Sequence, residues 1–212
     1  MTNRRKYFQI FLGIAATFAA PVAFAHHPMG GETPSSVAQG LLSGLAHPVI
    51  GIDHLAFLIA MGVAATFTSR PLLAPLAFIA STIAGCLLLT GGIQIPLGEI
   101  AVAASVILIG AIVASGRTYS VTSYLTLFAV AGLLHGSAYG AAIVGAETTP
   151  LIAYLTGFAA IQYAVAIGAG VMIRRISADP NAFATNPRLV GALAAGVGVA
   201  ILIENIEGMI TI

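Results

Sequence analysis

His47-Pro48-Val49-Ile50-Gly51-Ile52-Asp53-His54 runs straight into the apolar stretch Leu55 to Phe67, and this junction decides how the chain is read. Two imidazoles and a carboxylate stand where a helix able to cross a bilayer begins. Ionisable side chains are costly at membrane depth, so inside a spanning segment they mark a substrate or ion site. Imidazole with carboxylate is also a ligand set for borderline divalent metals. Just upstream, Val37 to Ala46 is apolar too. Fused to the following run it would make a helix of about 48 Å, against a hydrocarbon core of about 30 Å. Pro48 lacks a backbone donor and clashes with a continuing helix. We therefore expect a short outer or re-entrant helix, a break at 47–51, and then the first span. Irregular backbone at that depth is tolerated only against protein or a water-filled cavity.

The rest of the chain has the composition of a membrane protein. Of 212 residues, 58% are hydrophobic and 7% charged, where soluble domains carry about 25% charged residues. Apolar runs bounded by Pro, Gly or Arg fall at 51–69, 71–90, 97–115, 120–145, 150–173 and 188–208. The expected fold is an all-α bundle of about six transmembrane helices. The N-terminus has Arg4, Arg5 and Lys6, an apolar run, then Ala23-Phe24-Ala25, the order of a cleavable signal peptide. Residues 1–25 are read as that peptide and 26–212 as one membrane domain. Cys86 is the single cysteine, so neither an internal disulfide nor a thiolate cluster is available. No basic patch or aromatic platform points to nucleic acid.

Cleavage would leave five basic residues against seven acidic ones. With the mature N-terminus outside, Arg70, Arg117, Arg174, Arg175 and Arg188 all fall in inner loops, as the positive-inside rule requires. The C-terminus is then also outside, and a bacterial inner membrane is the expected location. Counting rise along each span puts His54, Glu99 and Glu204 about 5 to 6 Å, and His135 about 8 Å, below the outer boundary. Four spans thus carry an ionisable group in one layer. His135 and Tyr139 share a helix face, as do His54 and Met61, although packing is the commoner use of such a methionine. Gly132, Gly136 and Gly140 have the small-xxx-small spacing that lets helices approach closely. Asp53 suits the acceptor that fixes the tautomer of a ligating imidazole. For His47, capping of broken backbone stands beside ligation. Gln162 fits either a deeper polar step or a helix-helix hydrogen bond.

These residues resemble the HupE/UreJ family of small membrane proteins, associated with nickel and cobalt uptake for hydrogenase and urease maturation. The likeness rests on the signal peptide, the start His26-His27-Pro28-Met29-Gly30, the HPVIGIDH segment continuing into LAFLIAMG, and LLHGSAYGAAIVGAETTPL. By position it implies His47, Asp53 and His54 in the first motif and His135 in the second. The second motif is poorer than the family's HGHAHG form, with Ser137 and Tyr139 where histidines often stand and Ala142 where a Glu is common.

The resulting expectation is a secondary permease for Ni2+ or Co2+, with Zn2+ as a further fit, working in the lipid bilayer and importing from the outer side. No prosthetic group and no enzymatic activity are expected. His26, His27 and His47 would capture the ion; Asp53, His54 and His135 would hold it, with Glu99 and Glu204 as supplementary ligands. No phosphate-binding loop is present, so a gradient, the membrane potential or a partner must supply energy. Homo-oligomers and accessory maturation proteins stay open as partners. Two rival readings are a metal-binding assembly protein that does not transport, and a zinc-dependent intramembrane hydrolase using the histidines, Asp53 and Ser137.

Overall fold

The computed structural model of the chain describes residues 32–210, so the signal peptide, His26 and His27 lie outside the described residues. The described elements are α1 (Val37–Ile50), α2 (Ile52–Ala65), α3 (Pro75–Thr90), α4 (Gly98–Ser115), α5 (Val121–Gly140), α6 (Thr148–Ile176) and α7 (Pro180–Ile210), with a short 3-10 turn at Ala141–Ile143. Among the described residues the architecture is entirely helical, and it is that of a multi-pass membrane protein.

Apolar helices occupy all six expected positions, but they are not equally long. Four segments are long and apolar enough to cross a membrane: Gly98–Ser115, Val121–Ile143, Thr148–Ile176 and Ala184–Ile210. Helices α1 and α2 qualify only together, as a pair bent by 78°. The α3 helix has 16 residues, about 24 Å, which falls short of the core thickness. Length and composition alone therefore identify four spans, or five with the bent pair.

The break is sharper than 47–51. Ser36 starts α1 by accepting the Gln39 N–H at 3.2 Å, and Pro48 lies inside the helix. Its missing donor falls close to the end of α1, where the chain turns within three residues. Only Gly51 leaves helical backbone, with φ −71 and ψ 110, while its N–H still reaches the His47 carbonyl at 3.3 Å.

In lipid, helices associate through close packing rather than through a hydrophobic drive, and glycine sets the close approaches here. The expected stripe on α5 is used: a Cβ on Gly132 or Gly136 would run into the Phe78 or Thr82 backbone of α3. The contacts advance in the same direction on both helices, so α3 and α5 pack parallel. Gly110 of α4 and Gly191 of α7 meet in the same way, with the helices antiparallel. The long α6 packs on α1 through Gly44 and Tyr154, then on α2 through Gly62 and Ala166. Helix α2 is central; Phe57, Leu58, Ala60, Met61, Val63, Ala64 and Ala65 are all buried, as expected of a helix that is apolar all round. Met61 belongs to this core.

At the far end of α2, Arg174 Nη2 donates to the Thr66 carbonyl at 3.2 Å, and the Arg188 guanidinium packs over Gly116. The α2 end, the α4–α5 turn and the α6–α7 connection therefore share one end of the bundle, and the arginines gather there. We expect Gly136→Val to destabilise the protein by about 1 to 3 kcal/mol, the usual cost of overpacking. Gly168→Ala, where a Cβ meets nothing within 4 Å, should leave the thermal midpoint unchanged. A Gly136→Val protein as stable as wild type would mean that α3 and α5 are not in backbone contact.

Candidate metal centre

The bend at Gly51 builds the centre. On a straight helix His47 and His54 would stand about 10 Å apart along the axis. With the chain turned by 78°, their ring centroids are 6.4 Å apart. Gly51 serves the site sterically, since its φ is ordinary for any residue; a Cβ there would lie 2.6 Å from His54 Cδ2. His47, expected to capture the ion from the outer side, does not stand at an exposed mouth. It is 3% exposed, because the bend folds the last turn of α1 against α5 and α6.

Helix α5 supplies the other side. His54 Nδ1 and His135 Nδ1 are 3.0 Å apart, and His135 is completely buried. Two nitrogens each about 2.1 Å from one ion, at a right angle, would be separated by about 3.0 Å. The same distance suits an N–H···N hydrogen bond. Tyr139, one turn beyond His135, packs its ring 4.2 Å from His54 and 5.0 Å from His47. Phe57 and Phe78 close on His135 at 4.6 and 5.4 Å.

Asp53 is 1% exposed. Its Oδ1 accepts the His54 N–H at 2.8 Å, a use that suits a carboxylate in the first turn of a helix. Its Oδ2 is buried with no hydrogen-bond partner among the described residues. Leaving a carboxylate oxygen so is costly unless a cation or donor meets it. The Tyr139 hydroxyl is likewise buried without a partner.

Two residues of the centre carry no signal in the sequence. The Ser105 hydroxyl of α4 lies 2.8 Å from His135 Nε2, and Tyr154 of α6 lies 3.0 Å from His47 Nδ1. A serine in an apolar helix ordinarily bonds its own preceding turn, which Ser105 also does, so only the tertiary structure reveals its second contact. Ser137 is buried, but the hydroxyl that reaches His135 is that of Ser105. Beside the centre, Gln162 is completely buried, its Oε1 3.2 Å from the Thr82 hydroxyl, which also donates to the Ile79 carbonyl at 2.8 Å.

The supplementary acids are not brought in. Glu99 is exposed in the first turn of α4. Glu204 is exposed as well, and with Ile52 and Gly196 it lines an open groove of about 480 Å³ beside α7. Among the described residues, no group of three or more His, Cys, Asp or Glu side chains is arranged to hold a metal ion. The centre as it stands offers a close imidazole pair and an adjacent unsatisfied carboxylate oxygen.

The family model described as HupE / UreJ protein matches residues 14–201. A Protein HupE from Rhizobium leguminosarum bv. viciae is 28% identical over 199 residues, which cover 88% of this chain and 100% of that protein. No solved structure matches.

Because Gly51 makes room for the His54 ring, we expect Gly51→Ala to weaken Co2+ binding by the purified protein about tenfold or more, the scale of a lost supporting contact. The helical content should be retained, since the backbone at this position tolerates alanine. Unaltered Co2+ binding would show that His54 is not held where this geometry puts it.

Proposed function

Since the chain belongs to the HupE/UreJ family, whose model covers most of it, we propose that it is a secondary permease importing Ni2+ or Co2+ across a bacterial inner membrane for hydrogenase or urease maturation. The observation that carries this reading is the buried pair His54 and His135, with nitrogens 3.0 Å apart, beside the unsatisfied Asp53 Oδ2. Neutral imidazole and carboxylate suit such ions. In this reading the bundle has six spans after a cleaved signal peptide, its arginine-rich end facing inward. His26 and His27 collect the ion outside and His47 passes it on. Glu99 and Glu204 act from the exposed outer ends of their helices by raising local cation concentration.

The route inward continues below the centre. Phe57 and Phe78 close its floor, so the ion reaches the interior only when these rings part. The polar pair Thr82 and Gln162 stands beside the centre, since Thr82 packs on Gly136, the neighbour of His135. One turn further along α6, Ala166 lines a cavity of about 230 Å³ with Gly62, Thr66, Gly170 and Arg174. A ring floor with a cavity on its inner side supports carriage over a purely storing or assembling role.

In proteoliposomes, His54→Ala and His135→Ala should abolish Co2+ uptake, and Asp53→Ala should reduce it at least tenfold. Glu99→Gln and Glu204→Gln should shift half-saturation only a few-fold, with the shift vanishing in high salt. Wild-type uptake by well-folded His54→Ala protein would refute the assignment. Gln162→Leu should leave equilibrium Co2+ binding intact while slowing uptake; equal loss of both would place Gln162 in the binding site instead.

A further inference from the structure

Resting on that reading, the Ser105 hydroxyl contacts also determine which nitrogen of His135 and of His54 carries the proton. The Ser105 hydroxyl has one hydrogen, and its oxygen is 2.7 Å from the Val102 carbonyl, which can only accept. With that hydrogen used, the 2.8 Å contact to His135 Nε2 requires Nε2–H to donate to Ser105. The lone pair of His135 is then on Nδ1, the atom facing His54 Nδ1 at 3.0 Å, and His54 donates its Nδ1–H across that gap.

We infer that Ser105 is a positioning residue: by holding the His135 proton on Nε2 it keeps His135 Nδ1 turned to the centre as a ready ligand. An arriving divalent ion replaces the His54 N–H···N bond with a bond to His135 Nδ1. For His54 to bind beside it through Nδ1, the His54 proton moves to Nε2, so the imidazole stays neutral and no proton needs to leave the centre. A hydrogen-bonded second partner that fixes tautomer and orientation is the general arrangement around ligating histidines. Here it is supplied by a serine that the metal does not touch, from a helix that contributes no ligand of its own.

Nitrogen-detected NMR of histidine-labelled wild-type protein without metal reads the tautomers directly. The expected result is His135 protonated on Nε2 and His54 on Nδ1. The reverse order, with His135 protonated on Nδ1, would overturn the inference whether or not the protein transports. Ser105→Ala should shift His135 towards the Nδ1–H form and weaken Co2+ binding by about 10- to 100-fold. Ser105→Thr, which keeps the hydroxyl on the same turn, should restore both. If Thr and Ala behave alike, Ser105 acts only through packing and the inference fails. A normal tautomer pattern and Thr rescue of Co2+ binding, in a protein that takes up no Co2+, would instead sink the permease reading and leave the role of Ser105 standing.

Discussion

Everything at the candidate metal centre depends on the turn at Gly51. A continuous helix from Val37 to Ala65 would carry His47 and His54 on one face, two turns apart, with a single neighbour along its length. Bending it by 78° lets α1 cross the first part of α6 while α2 drops into the middle of the bundle. Both histidines then meet Tyr139, and His54 meets His135. Glycine at the bend is needed for space, since its backbone angles are open to other residues while a Cβ would strike the His54 ring. The same residue thus ends one helix, starts the next and makes room for the His54 ring.

A second constraint acts through the dryness of the interior. Within a bilayer each polar group has to find its partner inside the protein, and this centre does so unevenly. His47, His54, His135, Ser105 and Tyr154 form hydrogen-bonded pairs between α1, α2, α4, α5 and α6. Asp53 Oδ2 and the Tyr139 hydroxyl have no such partner among the described residues. Fully satisfied networks rigidify a core, while an unsatisfied carboxylate oxygen is held at a cost. A rigid frame around an unpartnered carboxyl oxygen suits the proposed ion site, and the arginines at the other end of α2 are too far away to meet that oxygen.

Much of this was legible in the chain because apolar runs and their Gly and Pro boundaries are local signals. The six helix positions follow from them, as does the small-residue stripe of α5. The break was harder to place, because Pro48 signals an interruption that the helix absorbs near its end, leaving the turn to Gly51. Counting rise along a helix gives depth but not azimuth. It correctly aligns His54 with His135, yet equally admits Glu99 and Glu204, which the bundle turns outward. His47 reads as a mouth residue until the bend angle is known. Ser105 and Tyr154 are silent, since a serine or tyrosine in an apolar helix has ordinary uses that a single sequence cannot separate from this one.

The central claim is that His54 and His135 bind one ion together. X-ray absorption at the cobalt edge of Co2+-loaded protein tests it most directly. The account predicts at least two imidazole ligands with oxygen completing the sphere, and the loss of one imidazole in His135→Ala. A sphere of oxygen alone, or one unchanged by His135→Ala, would contradict it.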